Sequence, residues 1–192
     1  MIGPVRHALV LAAALAASSC GDGREGAPSA DGCARTAAHA VTWSNPDAPD
    51  VVTARADGPR CAQAVATFVV RNAAGDPLWA FASTYHDLTI GGAPGEDAAE
   101  ISADEVDRFL SGWADVTISR SGSLPAWREG FPTLTESATT FAYETPFDRE
   151  TYEMLRSRDL PMICYAAAVA ASQCLVIDPV SRTPTMIVAY GP

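Results

Sequence analysis

Few residues in this 192-residue chain combine into a reacting group. His86 and Asp87 are adjacent, the pairing of a base with a carboxylate that could orient it. On a strand, neighbouring side chains point to opposite faces, so the two would not meet. A surface histidine at a strand end is the plainer reading. Ser121-Gly122-Ser123 offers hydroxyls in a turn-like sequence, without the G-x-S-x-G elbow of a nucleophilic serine. Gly91-Gly92-Ala93-Pro94-Gly95 lacks the following lysine and the strand–loop–helix setting of a phosphate cradle, and reads as a mobile loop. His39 and His86 lie outside any H-E-x-x-H pattern, so zinc is not expected. Glu96, Asp97, Glu100, Asp104, Glu105 and Asp107 do not follow the spacing of a calcium loop; they read as a solvated loop and helix start. The 23 acids must contain some pair at a useful separation, which makes paired carboxylates uninformative here. No catalytic residue, metal or cofactor is assigned.

The feature worth pursuing is aromatic. Trp127, Phe131, Phe141 and Tyr143 fall in a stretch, residues 115–147, otherwise rich in Ser, Thr, Gly and Pro. They could form an exposed apolar edge for a partner or a ligand. Burial over the open face of a sheet is the plainer account of the same side chains. A segment of this length is either a functional loop or a pair of strands hard to see in sequence.

Positioning them falls to strands and two helices. Residues 51–56 read as a strand bounded by the Asp57-Gly58-Pro59 turn. Residues 65–71 and 78–85 read as a hairpin, with Gly75 at the positive-φ position of its loop. Ser102 followed by Glu105 is a capping box, and Ile101 with Val106 is placed as its hydrophobic staple. Val106, Phe109, Leu110 and Trp113 then share one helical stripe, which predicts a helix over 102–113. A shorter helix is expected over 148–158, with Tyr152 and Leu155 inward and Pro161 ending it. Residues 162–169, 173–178 and 185–190 read as strands, with a hairpin turn over the intervening alanines. The pattern predicts an α+β domain: one antiparallel sheet of about five to six strands with two helices packed on one face.

The N-terminus has a different character. Arg6 precedes an apolar run from Ala8 to Ala17, too short for a membrane span, which needs roughly 20 residues. Ala17-Ser18-Ser19-Cys20 follows and resembles the lipobox of bacterial lipoproteins, with Ala17 where leucine is commonest. The resemblance implies cleavage before Cys20 and acylation of that residue. Gly21 after it implies sorting to the outer membrane, facing the periplasm. On this reading residues 1–19 are a lipoprotein signal peptide. Residues 20–32 are the lipidated cysteine and a Gly-, Ala-, Ser- and Pro-containing tether. Residues 33–192 form a single globular domain, which matches no family by its motifs. The alternative is an ordinary secretory signal cut near Ala16 or Ala17.

Cysteine parity supports an exported chain. With Cys20 acylated, Cys33, Cys61, Cys164 and Cys174 remain, an even set for an oxidising compartment. The expected pairs are Cys33–Cys61, stapling the tether's end to the first hairpin, and Cys164–Cys174, facing across the C-terminal hairpin. No C-x-x-C argues for redox chemistry. All 13 bases are arginine, against 23 acids, a net charge of −10. No basic face can be assembled from that balance, so a nucleic-acid partner is excluded. Acyl chains must then hold the protein to the membrane, since its charge would repel an anionic surface.

The sequence therefore points to an envelope-anchored lipoprotein with a small non-catalytic domain for binding, assembly or inhibition, and to an envelope protein as partner. In size and disulfide use it is similar to small lysozyme-inhibitor lipoproteins, on no shared motif. The competing readings are a periplasmic hydrolase with carboxylates near residues 115–147 and a small-ligand carrier.

Overall fold

The computed structural model describes residues 32–91, 100–134 and 142–192. Cys20 and Phe141 lie outside them, as do the leader and most of the tether.

The fold is α+β, and the described residues form nine strands in two antiparallel sheets. The first four strands are β1 (Cys33–Val41), β2 (Asp50–Gly58), β3 (Val65–Arg71) and β4 (Pro77–Thr84). They form a meander in the order β1-β2-β3-β4. Gly75 makes the β3–β4 loop at φ 88°, a conformation that costs other residues energy. At Gly58 a Cβ would come within 2.7 Å of the Ala64 backbone, so the β2–β3 link requires glycine. Two helices follow, α1 (Tyr85–Thr89) and α2 (Ala103–Ala114). His86 and Asp87 therefore lie on a helix and not at a strand end. There Thr84 caps the amide of Asp87, and Ser83 donates to the Asp87 carboxylate at 3.0 Å.

The second sheet is assembled from distant pieces: β5 (Ile118–Arg120), β6 (Ala142–Glu144), β7 (Pro161–Ala168), β8 (Ala171–Ile177) and β9 (Pro184–Gly191). Its order is β5-β7-β8-β9-β6. Helix α3 (Arg149–Ser157) is capped by Asp148 and ends where Asp159 turns to φ 51°. Pro161 opens β7; it does not end the helix. Residues 115–147 thus contain two three-residue strands, one on each edge of this sheet.

The strands divide between two sheets because a core lies between them. Val52, Ala54, Phe68 and Val70 present one face of the first sheet. Val106, Leu110 and Trp113 of α2 cover part of that face, and Ile163, Tyr165 and Leu175 of the second sheet belong to the same core. The opposite face of the second sheet carries Met162, Cys174, Val176 and Val188 against Tyr152 and Leu155 of α3. The helices accordingly serve two different cores. Tyr165 links the sheets: its ring stacks on Phe68 at 4.7 Å, and its hydroxyl accepts from Trp79 Nε1 at 3.0 Å and donates to Gln173 at 2.6 Å.

Both disulfides form as the spacing predicts, Cys33–Cys61 and Cys164–Cys174. Cys164 lies directly opposite Cys174 in the β7–β8 register. The carbonyls of Met162 and Ala166 accept from Ser119 and Trp113, so alternate residues of β7 turn their polar groups away from β8. Cys164 and Cys174 then occupy a non-hydrogen-bonded pair, where facing side chains stand closest.

Candidate functional site

One wall of the site is an irregular segment pinned at both ends. Leu124 and Leu134 are buried in the α3 core, and the chain between them arches over Tyr152. The Tyr152 hydroxyl donates to the Pro125 carbonyl at 2.7 Å, and burial pushes its pKa up to about 12. Trp127 is half-buried. Its amide donates to Glu153 at 2.5 Å, its indole N–H donates to the Phe131 carbonyl at 3.0 Å, and its ring meets Tyr152 edge-on at 6.0 Å. Gly130, at φ 80°, makes the turn that brings Phe131 back to the indole. Arg128 sits over the Phe131 ring at 4.7 Å, a cation–π contact.

The other wall is β6 and its exit. Tyr143 rests against Tyr190 of β9 at 5.3 Å. Thr145 donates to the Ile187 carbonyl at 2.7 Å and receives the amide of Phe147, which sets the Phe147 ring into the cleft. Trp127, Leu134, Tyr143, Glu144 and Phe147 line a cleft of about 400 Å³. That is within the volume range that holds small ligands or side chains. A second recess of about 210 Å³ lies beside β6, lined by Gln173, Ala189 and Gly191. Ala142 and Glu144 border both recesses.

Of the four aromatic residues the sequence singles out, Trp127 and Tyr143 come together in this cleft. Phe131 stands behind it and fixes the indole through its carbonyl. Phe141 falls outside the described residues. Phe147, also a wall residue, sits in the same Pro-rich stretch with nothing in its spacing to mark it.

Burial raises the Glu153 carboxyl, but the Trp127 amide and the Arg156 guanidinium outweigh it and hold the group below its ordinary value. Its carboxylate braces the Trp127 amide and the Arg156 guanidinium. Ser121 is buried with its hydroxyl donating to the Leu155 carbonyl and accepting from the Leu160 amide, so it ties α3 to the residue that precedes β7. No cluster of three or more His, Cys, Asp or Glu side chains able to hold a metal occurs among the described residues. Of the acidic stretch, Glu96 and Asp97 lie outside the described residues, and Glu105 and Asp107 are used locally. The side chain and amide of Ser102 hold the Glu105 carboxyl below its usual range in the capping box. Asp107 forms a two-pronged ion pair with Arg35 of β1.

Sequence reasoning missed one carboxylate. Asp50 is fully buried and accepts from the Trp43 amide at 3.1 Å, the Ser44 amide at 2.6 Å and the Ser44 hydroxyl at 2.5 Å. It closes the β1–β2 loop, away from the aromatic cleft. A wider depression of about 680 Å³ lies between α2 and β7, but its wall is the outer rim of the inter-sheet core, with the Trp113 indole spent on the Ala166 carbonyl.

No family model matches the chain, and no curated protein or solved structure matches it.

Proposed function

We propose that this chain is a lipid-anchored protein of the bacterial cell envelope, held at the outer membrane and facing the periplasm. Its domain binds an extended segment of another envelope protein along β6. The observation that carries the reading is the position of β6. Among the described residues it is an edge strand of the second sheet, with the Trp127–Phe147 cleft beside it and a second recess sharing Ala142 and Glu144. An extended segment laid beside such an edge gains main-chain hydrogen bonds and sends alternate side chains to opposite faces. Glu144 at the rim and the net charge of −10 favour a neutral or basic segment.

The anchor rests on the lipobox resemblance and on the cysteine count. With both disulfides made, Cys20 is the fifth cysteine and the one left for acylation. The hydrolase reading requires a carboxyl raised and buried in the cleft; Glu153, the acid braced against its wall, is lowered.

The anchor is tested by mass spectrometry of the protein extracted from its own membrane. An N-terminal Cys20 carrying acyl chains supports it, and an unmodified Cys20 or a start beyond it overturns it. Binding is tested by hydrogen exchange in isolated envelopes against the purified protein. Slowed exchange at residues 142–144 in envelopes, lost in Trp127→Ala, supports the reading; identical exchange in both states overturns it.

A further inference from the structure

Among the described residues nothing covers the outward face of the first sheet, and its composition is unusual for one turned to water. A solvated antiparallel face ordinarily alternates polar with the buried side. Here Val52, Ala54, Phe68 and Val70 are buried on one face, and the residues between them point the other way. On β2 these are Val51, Thr53 and Arg55; on β3 they are Val65, Thr67 and Val69. Val51 and Val65 are 39% and 48% exposed. The central row across all four strands is Ala38, Thr53, Val69 and Ala80, paired in register and without a charge. Both α2 and the second sheet pack on the opposite face.

We propose that this face is the contact surface of a homodimer, two first sheets packing face to face about a two-fold axis. Two observations select a second copy of the chain. The first is charge. The protein carries −10 overall and repels its own copy over most of its surface. The face bears Arg55 and Asp57, which pair with each other, and Arg71 near its end, bonded to the Gly75 carbonyl. It therefore has no net negative charge, and an adjacent base and acid are self-complementary under a two-fold axis: Arg55 of each copy can reach Asp57 of the other. The second is area. Four strands at about 4.8 Å spacing and seven paired residues at about 3.3 Å rise give roughly 450 Å² in projection. Two such faces cover roughly 900 Å² before side-chain relief is counted, close to the ~1,000 Å² that a specific interface needs. Small side chains in the central row let the sheets approach closely, and the modest area makes the dimer weak and reversible.

The test is sedimentation of the full-length protein in mild detergent, from low to high micromolar concentration. The protein mass per particle should double over that range. Thr53→Glu and, separately, Ala80→Glu place a charge in the central row and should raise the dissociation constant at least tenfold, with circular dichroism unchanged. Arg55→Asp should weaken the dimer, and Arg55→Asp with Asp57→Arg should restore it. A wild-type protein that stays monomeric, or a dimer indifferent to both Thr53→Glu and Ala80→Glu, overturns the proposal. Neither result bears on binding at β6, which lies in the other sheet.

Discussion

The indole of Trp127 and the carbonyl of Phe131 close the loop of residues 127–131 at 3.0 Å, and that bond sets one wall of the aromatic cleft. The Phe131 amide also donates to the Arg128 carbonyl at 3.3 Å, and the Trp127 amide to Glu153, so the indole bond is one of several ties on the loop. Trp127→Phe keeps an aromatic wall and strands the carbonyl, at a cost of about 1 kcal/mol. Trp127→Ala also removes the packing on Tyr152 and should cost about 2 kcal/mol or more. Urea denaturation of both variants measures the difference. Equal losses would mean that the packing on Tyr152 contributes nothing, and an unchanged Trp127→Phe would mean the same of the indole bond.

Tyr152 predicts an alkaline limit. Its hydroxyl is buried against the Pro125 carbonyl, and its pKa rises to about 12 in the fold. A raised folded value stabilises the protonated, neutral form. That contribution is complete below the unfolded value near pH 10 and is lost as pH climbs towards 12. Tyr152→Phe should lose about 1 kcal/mol at neutral pH through the missing hydrogen bond. It should also flatten the fall in stability between pH 10 and 12, as read by melting temperature against pH. A wild-type curve already flat through that window would contradict the burial.

Asp107 sets the opposite limit. Its hydrogen bond with Arg35 holds the carboxyl below its ordinary value, so the folded form is the more acidic one. The stabilisation is therefore present above the unfolded value near pH 4 and disappears as pH falls through the folded one. Asp107→Asn should lower the urea midpoint at pH 7, by a modest amount because the pair is well exposed to solvent. The difference from wild type should shrink to nothing in strong acid.

The two disulfides should differ. Cys33–Cys61 closes a loop with sequence separation 28, and Cys164–Cys174 one with separation 10. Loop-closure entropy assigns about 3.5 kcal/mol to the first and about 2.7 kcal/mol to the second. Cys33→Ser/Cys61→Ser should be the less stable double variant. The reverse order would show that the second bridge acts on the folded state.

What could be read in advance follows from how local each signal is. The α2 helix was legible because a capping box and a four-residue apolar stripe lie within twelve positions. The β7–β8 hairpin and its disulfide were legible for the same reason, with partners ten residues apart. β1 was hidden: the side chains facing α2 and the core include Arg35 and His39 beside Ala37, and such a mixture shows no apolar alternation. The division into two sheets depends on Trp79 meeting Tyr165 across 86 positions, which no local pattern encodes. The aromatic cleft shows both limits. Composition marked Trp127 and Tyr143, but their meeting requires the three residues of β6 to pair with β9 some fifty positions later. Asp50 sits among Ser, Asn and Pro residues that announce a loop and say nothing about a carboxylate buried within it.

The central claim is that an extended protein segment lies along β6 in the envelope, its side chains against Trp127. A photo-activatable cross-linker at Pro132, on the rim of the cleft, tests it in living cells. The account predicts one discrete adduct with an envelope protein, mapped by mass spectrometry to a neutral or basic segment and abolished by Trp127→Ala. Absence of any adduct, or one that survives Trp127→Ala unchanged, would contradict it.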